Sequence, residues 1–308
     1  MQCHPPVITS SDCEGAGETF TITQPEGFFR TPKYLTVSSQ LHLEALSAAV
    51  PRVWALSPTF RAEKSDTARH LSEFYMLEAE VAFIDSLEPL MSFVEDVVKM
   101  LTETLVNPHS GDETLSAAGD KAEEIQARWN GLLRDAWPRI TYTEAISALQ
   151  SAASNNRAEF NFPPIWGAAL QAEHERFLAQ TLFNGPVFVT DYPKKLKAFY
   201  MLPSTATVPE GETVSCFDLL FPTVAEVAGG SLREHRYDEL LAEMKHRGMA
   251  FDGEDESSLN WYLELRKWGG VKHGGFGLGF DRLVCYLAGV ENIREAVAFP
   301  RWAGRCDC

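Results

Sequence analysis

The sequence contains no apolar run close to the roughly 18 to 20 residues that are needed to cross a bilayer. Its opening segment, MQCHPPVITS, has neither a charged region followed by an apolar region nor an arginine-rich transit pattern. These absences argue against a membrane-spanning or exported protein. We therefore expect no membrane partner and a cytoplasmic location.

Positive charge and cysteine are also scarce. Lysine and arginine number 27 against 43 aspartates and glutamates, which gives a net charge of −16. A chain this acidic does not attract nucleic acid by its overall charge, so a polyanion needs a local basic site. Six scattered cysteines in 308 residues do not indicate a disulfide framework, and we predict free thiols.

The chain nevertheless has ample material for a folded, soluble protein with a large core, since 45% of its residues are hydrophobic. Strand-like and helix-like segments follow one another without regular alternation, and residues 85–135 keep helical spacing until the turn formers of NPHSGDETLSAAGD interrupt it. The pattern predicts an α+β fold: one domain over residues 1–308, with an antiparallel sheet flanked by helices and a helical insertion at about 85–135.

A densely charged stretch, FRAEKSDTARHLSEF, occupies residues 60–74. Read as a hairpin, it places Arg61 and Glu63 on one face of a strand and returns Arg69, His70 and Phe74 on the partner strand. A guanidinium suits a phosphate or carboxylate, and an aromatic ring can stack on a base. Taken alone, such a stretch is more often a solvated hairpin with cross-strand ion pairs.

A second charged segment, FDLLFPTVAEVAGGSLREHR, places Asp218 and Glu226 on either side of a turn, with Arg233 beyond two glycines. Two carboxylates beside a triphosphate would suit Mg²⁺, which takes a few protein oxygens together with phosphates and waters. Ordinary surface charge explains this segment equally well when it is considered alone.

The glycine-rich segment GGFGLGFDRL leads into an amphipathic helix. It lacks both the GxGxxG spacing and the βαβ context of a dinucleotide site, which argues against that interpretation. Arg282 lies at the start of the helix, where its charge and the helix N-terminus both favour an anion.

In this order, FRAE…RHLSEF resembles motif 2, and GGFGLGFDRL resembles motif 3, of the class II aminoacyl-tRNA synthetases. Six further segments resemble the asparaginyl enzymes of the bacterial or mitochondrial type: SDCEGAGETF, YLTVSSQLHLEAL, TDYPKKLKAFYM, AGGSLREHR, WYLELRKWGG and NIREAVAFPR. The resemblance runs from about residue 5 to the C-terminus. It implies the class II antiparallel sheet, asparagine as substrate, and ATP and Mg²⁺ as cofactors.

The resemblance also implies roles at the ATP site. Arg61 would bridge the amino-acid carboxylate and the α-phosphate, and Arg61, Glu226 and Arg282 would be the catalytic residues. The implied ATP contacts are Arg61, Glu63 on the nucleotide, Arg69 and His70 on the outer phosphates, Phe74 and Arg282 around adenine, and Asp218 and Glu226 through Mg²⁺.

For the amino acid, the resemblance implies that Glu14 and Gln40 bind the α-amino group. Related aspartyl enzymes have a lysine three residues after this glutamine, whereas this chain has Leu43 followed by Glu44. A carboxylate beside an apolar residue suits an amide NH₂ and repels aspartate, while Arg233 would donate to the amide oxygen. Glu44 and Arg233 therefore predict asparagine.

The resemblance begins only near the end of motif 1, so we expect this chain to lack the family's N-terminal anticodon-binding OB-fold and motif 1 helix. We therefore predict that asparaginyl-AMP is formed from asparagine and ATP and that an unknown non-tRNA nucleophile accepts the acyl group in small-molecule biosynthesis. Without the motif 1 helix, the sequence leaves open whether the chain forms a homodimer. Three alternatives also stay open: a synthetase that still charges tRNA, an asparagine synthetase using aspartate and ammonia, and a non-catalytic protein that senses asparagine or ATP.

Overall fold

The structure, a computed structural model, describes residues 1–10, 19–65, 67–134, 136–206, 208–249 and 259–307. Its strands are β1 (Ile8–Thr9), β2 (Thr21–Ile22), β3 (Lys33–Leu35), β4 (Arg52–Phe60), β5 (Glu73–Ala82), β6 (Arg139–Thr141), β7 (Val187–Thr190), β8 (Cys216–Phe221), β9 (Ala225–Leu232) and β10 (His273–Gly279). Its helices are α1 (Gln40–Ser47), α2 (Glu88–Val106), α3 (Pro108–Ala118), α4 (Ala122–Leu132), α5 (Tyr142–Ser154), α6 (Ala172–Arg176), α7 (Tyr237–His246), α8 (Asn260–Glu264) and α9 (Phe280–Ala288). A π-helical segment, Phe177–Leu182, continues α6.

The main sheet has seven strands in the order β4-β5-β10-β9-β8-β7-β6. Neighbouring strands are antiparallel except β6 and β7, which pair in parallel. A small sheet, β1-β3-β2, lies beside it. The predicted α+β class with an antiparallel sheet is therefore confirmed.

One face of the main sheet is covered by α2, α4 and α9. Leu90, Val94 and Val98 follow one another at four-residue spacing on α2 and are at most 2% exposed, as expected for the buried stripe of an amphipathic helix. They share the largest hydrophobic cluster with Trp129 of α4 and Leu283 of α9. The helices predicted at 85–135 thus form a layer directly on the sheet.

The turn predicted within this helical region is wrong over most of its length. Asn107 ends α2 with an extended ψ of 127°, and α3 begins at the next residue, Pro108. Proline fits the first position of a helix because its fixed φ is helical and its missing N–H would have no helical partner there. The break expected from the turn formers is therefore limited to the two ends of the segment, at the link between α2 and α3 and at the 3-10 turn Gly119–Lys121.

The opposite face of the sheet carries two smaller hydrophobic clusters. One joins α5 and the π-helical segment to β7 and β8, with Tyr142, Leu178 and Val189 buried in it. The other joins α7 and α8 through Leu240 and Tyr262. The open part of this face, which centres on β5, β10, β9 and β8, is where the charged residues of the sequence analysis gather.

The charged stretch at 60–74 forms a shorter hairpin than the sequence predicts. Strand β4 ends at Phe60 and β5 begins at Glu73, so Arg61 and His70 belong to the connecting loop. A backbone bond from Arg61 N to the Ser72 carbonyl, 3.0 Å long, closes this loop. Inside it, the Thr67 hydroxyl bonds the His70 ring, a local bond of the kind that competes with strand pairing.

No helix in the described ranges has the length and apolar character required to cross a membrane. Cys3, Cys216, Cys285 and Cys306 are free thiols, as predicted for these four cysteines.

Candidate active site

A cavity of about 380 Å³ opens on the uncovered face of the sheet. Across its floor, Glu78, Gly277, Gly229 and Asp218 lie side by side on β5, β10, β9 and β8. The two glycines have no side chains, so a ligand can lie directly against the backbone between the two carboxylates. The glycines of the motif 3 segment therefore belong to a strand that forms the cavity floor.

An irregularity in β8–β9 pairing orients Glu226. Asp218 pairs with Gly229 and Leu220 pairs with Glu226, but the register shifts by one residue between Leu219 and Leu220. Because strand side chains alternate between faces, this shift turns Glu226 to the same face as Asp218. A Cβ on Gly229 would lie 3.2 Å from Glu226 Oε1 and 3.4 Å from Asp218 Oδ1, so the two carboxylates flank this glycine.

Basic groups surround the end of the cavity nearest Glu226. Arg282 donates to the Glu226 carbonyl oxygen at 2.7 Å, and the Arg61 guanidinium lies 5.4 Å from the centre of the Phe74 ring. Burial lowers the pKa of His70, although the nearby Glu63 opposes the shift. This end of the cavity combines anion-binding groups with an aromatic face.

Lys197 is a cavity residue to which the sequence analysis assigned no role. Its Nζ donates to Asp218 Oδ1 at 2.7 Å and Oδ2 at 2.6 Å, and it lies 4.0 Å from the centre of the Tyr192 ring. Burial and the neighbouring Glu226 raise the pKa of Asp218, while Lys197 opposes this shift. The segment TDYPKKLKAFYM carried the resemblance, but only the fold brings its last lysine to Asp218.

Glu44 is the centre of a buried polar network at the other end of the cavity. Its oxygens accept bonds from Gln40 Nε2 at 3.0 Å, the Tyr262 hydroxyl at 2.8 and 2.9 Å, Arg266 Nη2 at 2.5 Å and His273 Nε2 at 3.1 Å. Burial opposes ionisation of Glu44, but the charges of Arg266, His273 and Arg233 outweigh it and hold the pKa of Glu44 well below its usual range. The network joins α1, α8 and β10.

Glu78 and a second glutamate on β5, Glu80, are both held by protein hydrogen bonds beside the cavity. Glu78 accepts bonds from the Ser38 hydroxyl and from Ser39 N at 2.8 Å. Glu80 accepts bonds from Arg233 Nε at 3.2 Å and Nη2 at 2.5 Å. No role was predicted for either residue from the sequence. Their period-two spacing in MLEAEV is the signal that could have indicated one, because two carboxylates on the inward face of a core strand need buried partners.

The structure brings most of the predicted site residues together. Those that line the cavity are Gln40, Arg61, Glu63, Arg69, His70, Phe74, Asp218, Glu226, Arg233 and Arg282. Glu44 does not line it, and lies behind Gln40 and Arg233 with both oxygens already accepting protein hydrogen bonds. Glu14 lies outside the described residues. The individual roles of these residues remain predictions.

The donor chemistry at Gly229 fits the predicted Mg²⁺. Mg²⁺ commonly binds through one or two carboxylates, keeps several waters and uses substrate phosphates for the rest of its shell. Asp218 and Glu226 supply two carboxylates, although Lys197 shares Asp218. Neither here nor in the rest of the described ranges are three His, Cys, Asp or Glu side chains grouped to hold a metal by themselves.

The profile of the family described as "tRNA synthetases class II (D, K and N)" matches residues 1–303. The chain belongs to this family. Its structure is also similar to an asparaginyl-tRNA synthetase of Pyrococcus horikoshii complexed with asparaginyl-adenylate, with a TM-score of 0.80 and 35% identity over 99% of this chain and 64% of that one. The predicted resemblance to class II synthetases is thus confirmed.

Two relatives of this chain in the class II family are named for asparagine. An "Asparagine--tRNA ligase, mitochondrial" of Saccharomyces cerevisiae is 47% identical over 96% of this chain and 62% of its own length. An "Asparaginyl-tRNA synthetase" of Mus musculus is 44% identical over 99% and 63%. The chain therefore spans less than two thirds of the length of these relatives. Their names give no support to the predicted non-tRNA acceptor.

Proposed function

We propose that this class II chain activates asparagine with ATP to form asparaginyl-AMP and transfers the asparaginyl group to tRNA. The observation that carries the proposal is the gathering of Arg61, Arg282, Asp218, Glu226 and Arg233 around one glycine-floored cavity. Phosphate-binding and amino-acid-binding groups in a single cavity suit an adenylate, which joins the two substrates. The names of the relatives favour tRNA as the acceptor.

In this proposal the protein acts through position and charge. Arg61 lines the cavity beside Phe74 and holds the asparagine carboxylate against the α-phosphate, which confines two negatively charged reactants at the attack distance. Its guanidinium stabilises the charge that develops on the phosphate oxygens as pyrophosphate leaves. No protein nucleophile is needed for this step.

The nucleotide is held at the basic end of the cavity. The adenine ring lies between Phe74 and Arg282, Glu63 contacts the nucleotide, and Arg69 and His70 bind the outer phosphates. Asp218 and Glu226 would hold Mg²⁺, which would neutralise phosphate charge when bound. Lys197 keeps the Asp218 carboxyl oriented beside the glycine floor through its two hydrogen bonds.

The amino acid lies at the end of the cavity near Glu80 and Arg233. Gln40 binds the α-amino group, a role it shares with Glu14. Arg233 donates to the oxygen of the side-chain amide. The buried Glu44 network fixes the orientation of Gln40 and Arg233, since it contacts both side chains.

Amino-acid-dependent exchange of pyrophosphate into ATP tests the first half of the proposal. We expect exchange with asparagine and not with aspartate, and a loss of about 100- to 1,000-fold in Arg61→Ala, because the variant lacks the group that stabilises the transferring phosphate. Arg52→Ala is the matched control, since Arg52 is an exposed arginine at the start of β4. Exchange that is equal in both variants would contradict the assigned role of Arg61.

Esterification of tRNA with labelled asparagine tests the second half. We expect an asparagine tRNA transcript to be charged by the same preparation that carries out exchange. Exchange without charging would refute tRNA as the acceptor while leaving asparagine activation standing.

A further inference from the structure

Lys197 holds one of the two carboxylates that flank the glycine floor of the cavity. Its Nζ lies 2.7 Å from Oδ1 and 2.6 Å from Oδ2 of Asp218, so a single ammonium group bonds both oxygens. Asp218 is only 9% exposed, and Lys197 lines the cavity beside it. An ammonium that bonds both oxygens competes directly with any second cation for this carboxylate.

Glu226, the other carboxylate beside Gly229, is not held in this way. Across the described part of the chain, its carboxylate forms no ion pair with a lysine, arginine or histidine. Arg282 donates to its backbone carbonyl oxygen at 2.7 Å rather than to its side chain. Of the two carboxylates, one is therefore paired with a protein cation and the other is open.

The main chain of Lys197 is fixed, whereas its side chain is built to move. Arg247, directly after α7, donates to the Lys197 carbonyl oxygen at 2.9 Å. The ammonium is a compact charge on a flexible four-carbon stem, which can leave Asp218 without any movement of the backbone. A carboxylate in direct contact also favours the charged form of a lysine, so this side chain is a permanent cation at neutral pH.

We propose that Lys197 is a positioning residue that serves as the resident counter-ion of Asp218. It holds this carboxylate in place when no metal is bound and competes with Mg²⁺ for it, which weakens metal binding until the phosphates of ATP arrive. The inference rests on the Mg²⁺ site of the proposed function. Two cations close together repel each other strongly in a partly buried site. The negative phosphates offset this repulsion and supply ligands that Mg²⁺ prefers.

Lys197→Met tests this role, because it removes the charge and keeps most of the length of the side chain. We titrate the protein with Mn²⁺ in the absence of ATP and amino acid, and follow the free ion by electron paramagnetic resonance. We expect Mn²⁺ to bind at least about tenfold more tightly than in wild type, because the competing cation is gone. A residue that only supported the fold would lower the affinity when replaced, so the sign of the change separates the two roles.

Three further variants serve as controls. Lys194→Met removes another lysine of the same segment, which pairs with Glu243 at 2.9 Å on α7, and should leave the Mn²⁺ affinity unchanged. Lys197→Met combined with Asp218→Asn should lose the gain, because Asp218 is the carboxylate that the first change releases. Lys197→Gln keeps a hydrogen-bond donor without the charge and should show the same gain. It decides the question if Lys197→Met does not fold.

The outcomes distinguish this inference from the proposed function. Mn²⁺ binding in Lys197→Met and Lys197→Gln that is no tighter than in wild type would overturn the inference alone, provided that wild type carries out exchange with asparagine. A gain that persists with Asp218→Asn, or that Lys194→Met shares, would also overturn it, since the metal then binds elsewhere. Tighter Mn²⁺ binding in a protein without asparagine-dependent exchange would support the role of Lys197 and overturn the proposed function.

Discussion

Replacement of Glu44 by glutamine is expected to destabilise the folded protein strongly. The change preserves the size of the side chain but removes the charge that balances Arg266 and the nearby Arg233, and it turns one acceptor into a donor. Tyr262 and His273 also lose an ionised acceptor. Breaking a buried ion pair by removing one partner typically costs about 3 to 5 kcal/mol of unfolding free energy.

The unfolding entropy, which scales with chain length, determines how far this cost lowers Tm. An unfolding entropy of about 2.1 cal/mol/K per residue over 308 residues gives about 0.65 kcal/mol/K, so Glu44→Gln should lower Tm by about 5 to 8 °C. Calorimetry or near-UV circular dichroism at pH 7 measures the shift. Glu264→Gln is the control, because Glu264 is 64% exposed on α8 and its pair with Lys267 is 3.7 Å long.

The pH dependence gives an independent check. A carboxyl whose folded pKa is lowered contributes stability above its unfolded pKa, and this contribution is lost as pH falls through the folded value. The Tm difference between wild type and Glu44→Gln should therefore be largest near neutral pH and smaller at pH 3. A shift at pH 7 no greater than that of Glu264→Gln would refute the view that this network holds α1, α8 and β10 together.

Two other changes test the surroundings of the cavity. Gly275→Ala should lower the free energy of unfolding, measured in urea, by about 2 to 3 kcal/mol, because the added Cβ would lie 2.4 Å from a backbone oxygen of β5. Gly277→Ala should cost less, because its Cβ would lie 2.8 Å from a methionine sulfur on a flexible side chain. Equal urea midpoints for the two would count against this steric account. The pKa of Glu175 on α6 is raised to about 7 by burial and by Glu226 and Asp218, so wild type loses stability as pH rises from the ordinary glutamate pKa of 4.5 to about 7. Glu175→Gln should therefore be more stable than wild type by up to about 3 kcal/mol at pH 8.5, by much less at pH 5, and equal to wild type at pH 3.5; a difference independent of pH would contradict this.

The sequence predicted the parts of the site that depend on local pattern and motif order. The charged hairpin and the glycine-rich segment that leads into α9 were predicted in this way, although this segment's strand β10 was not, and Arg61, Phe74 and Arg282 do line one cavity. The prediction of which hairpin residues lie in strands was less accurate. Arg61 and Glu63 lie in the loop because local polar bonds and backbone turns replace the ladder there.

Other features depend on interactions that no local pattern contains. Glu226 shares a face with Asp218 only through the register shift between Leu219 and Leu220, and strict alternation gives no sign of it. Lys197 and Asp218 are 21 positions apart in the chain and come into contact only in the folded protein. Helix α3 begins at a proline within a segment rich in turn formers, where position in the helix outweighs composition.

The placement of β5 has a consequence for how the protein is made. β5 pairs with β4 through a short loop, but its other partner, β10, begins only at His273. Because distant contacts form slowly, we expect the cavity to be absent from the growing chain until β10 inserts between β5 and β9. Until then β5 is an exposed strand edge, and such edges invite pairing between chains unless charge discourages it. Glu78 and Glu80 place charge at every second position of β5. We therefore expect the carboxylates that later line the cavity to disfavour pairing between chains during synthesis.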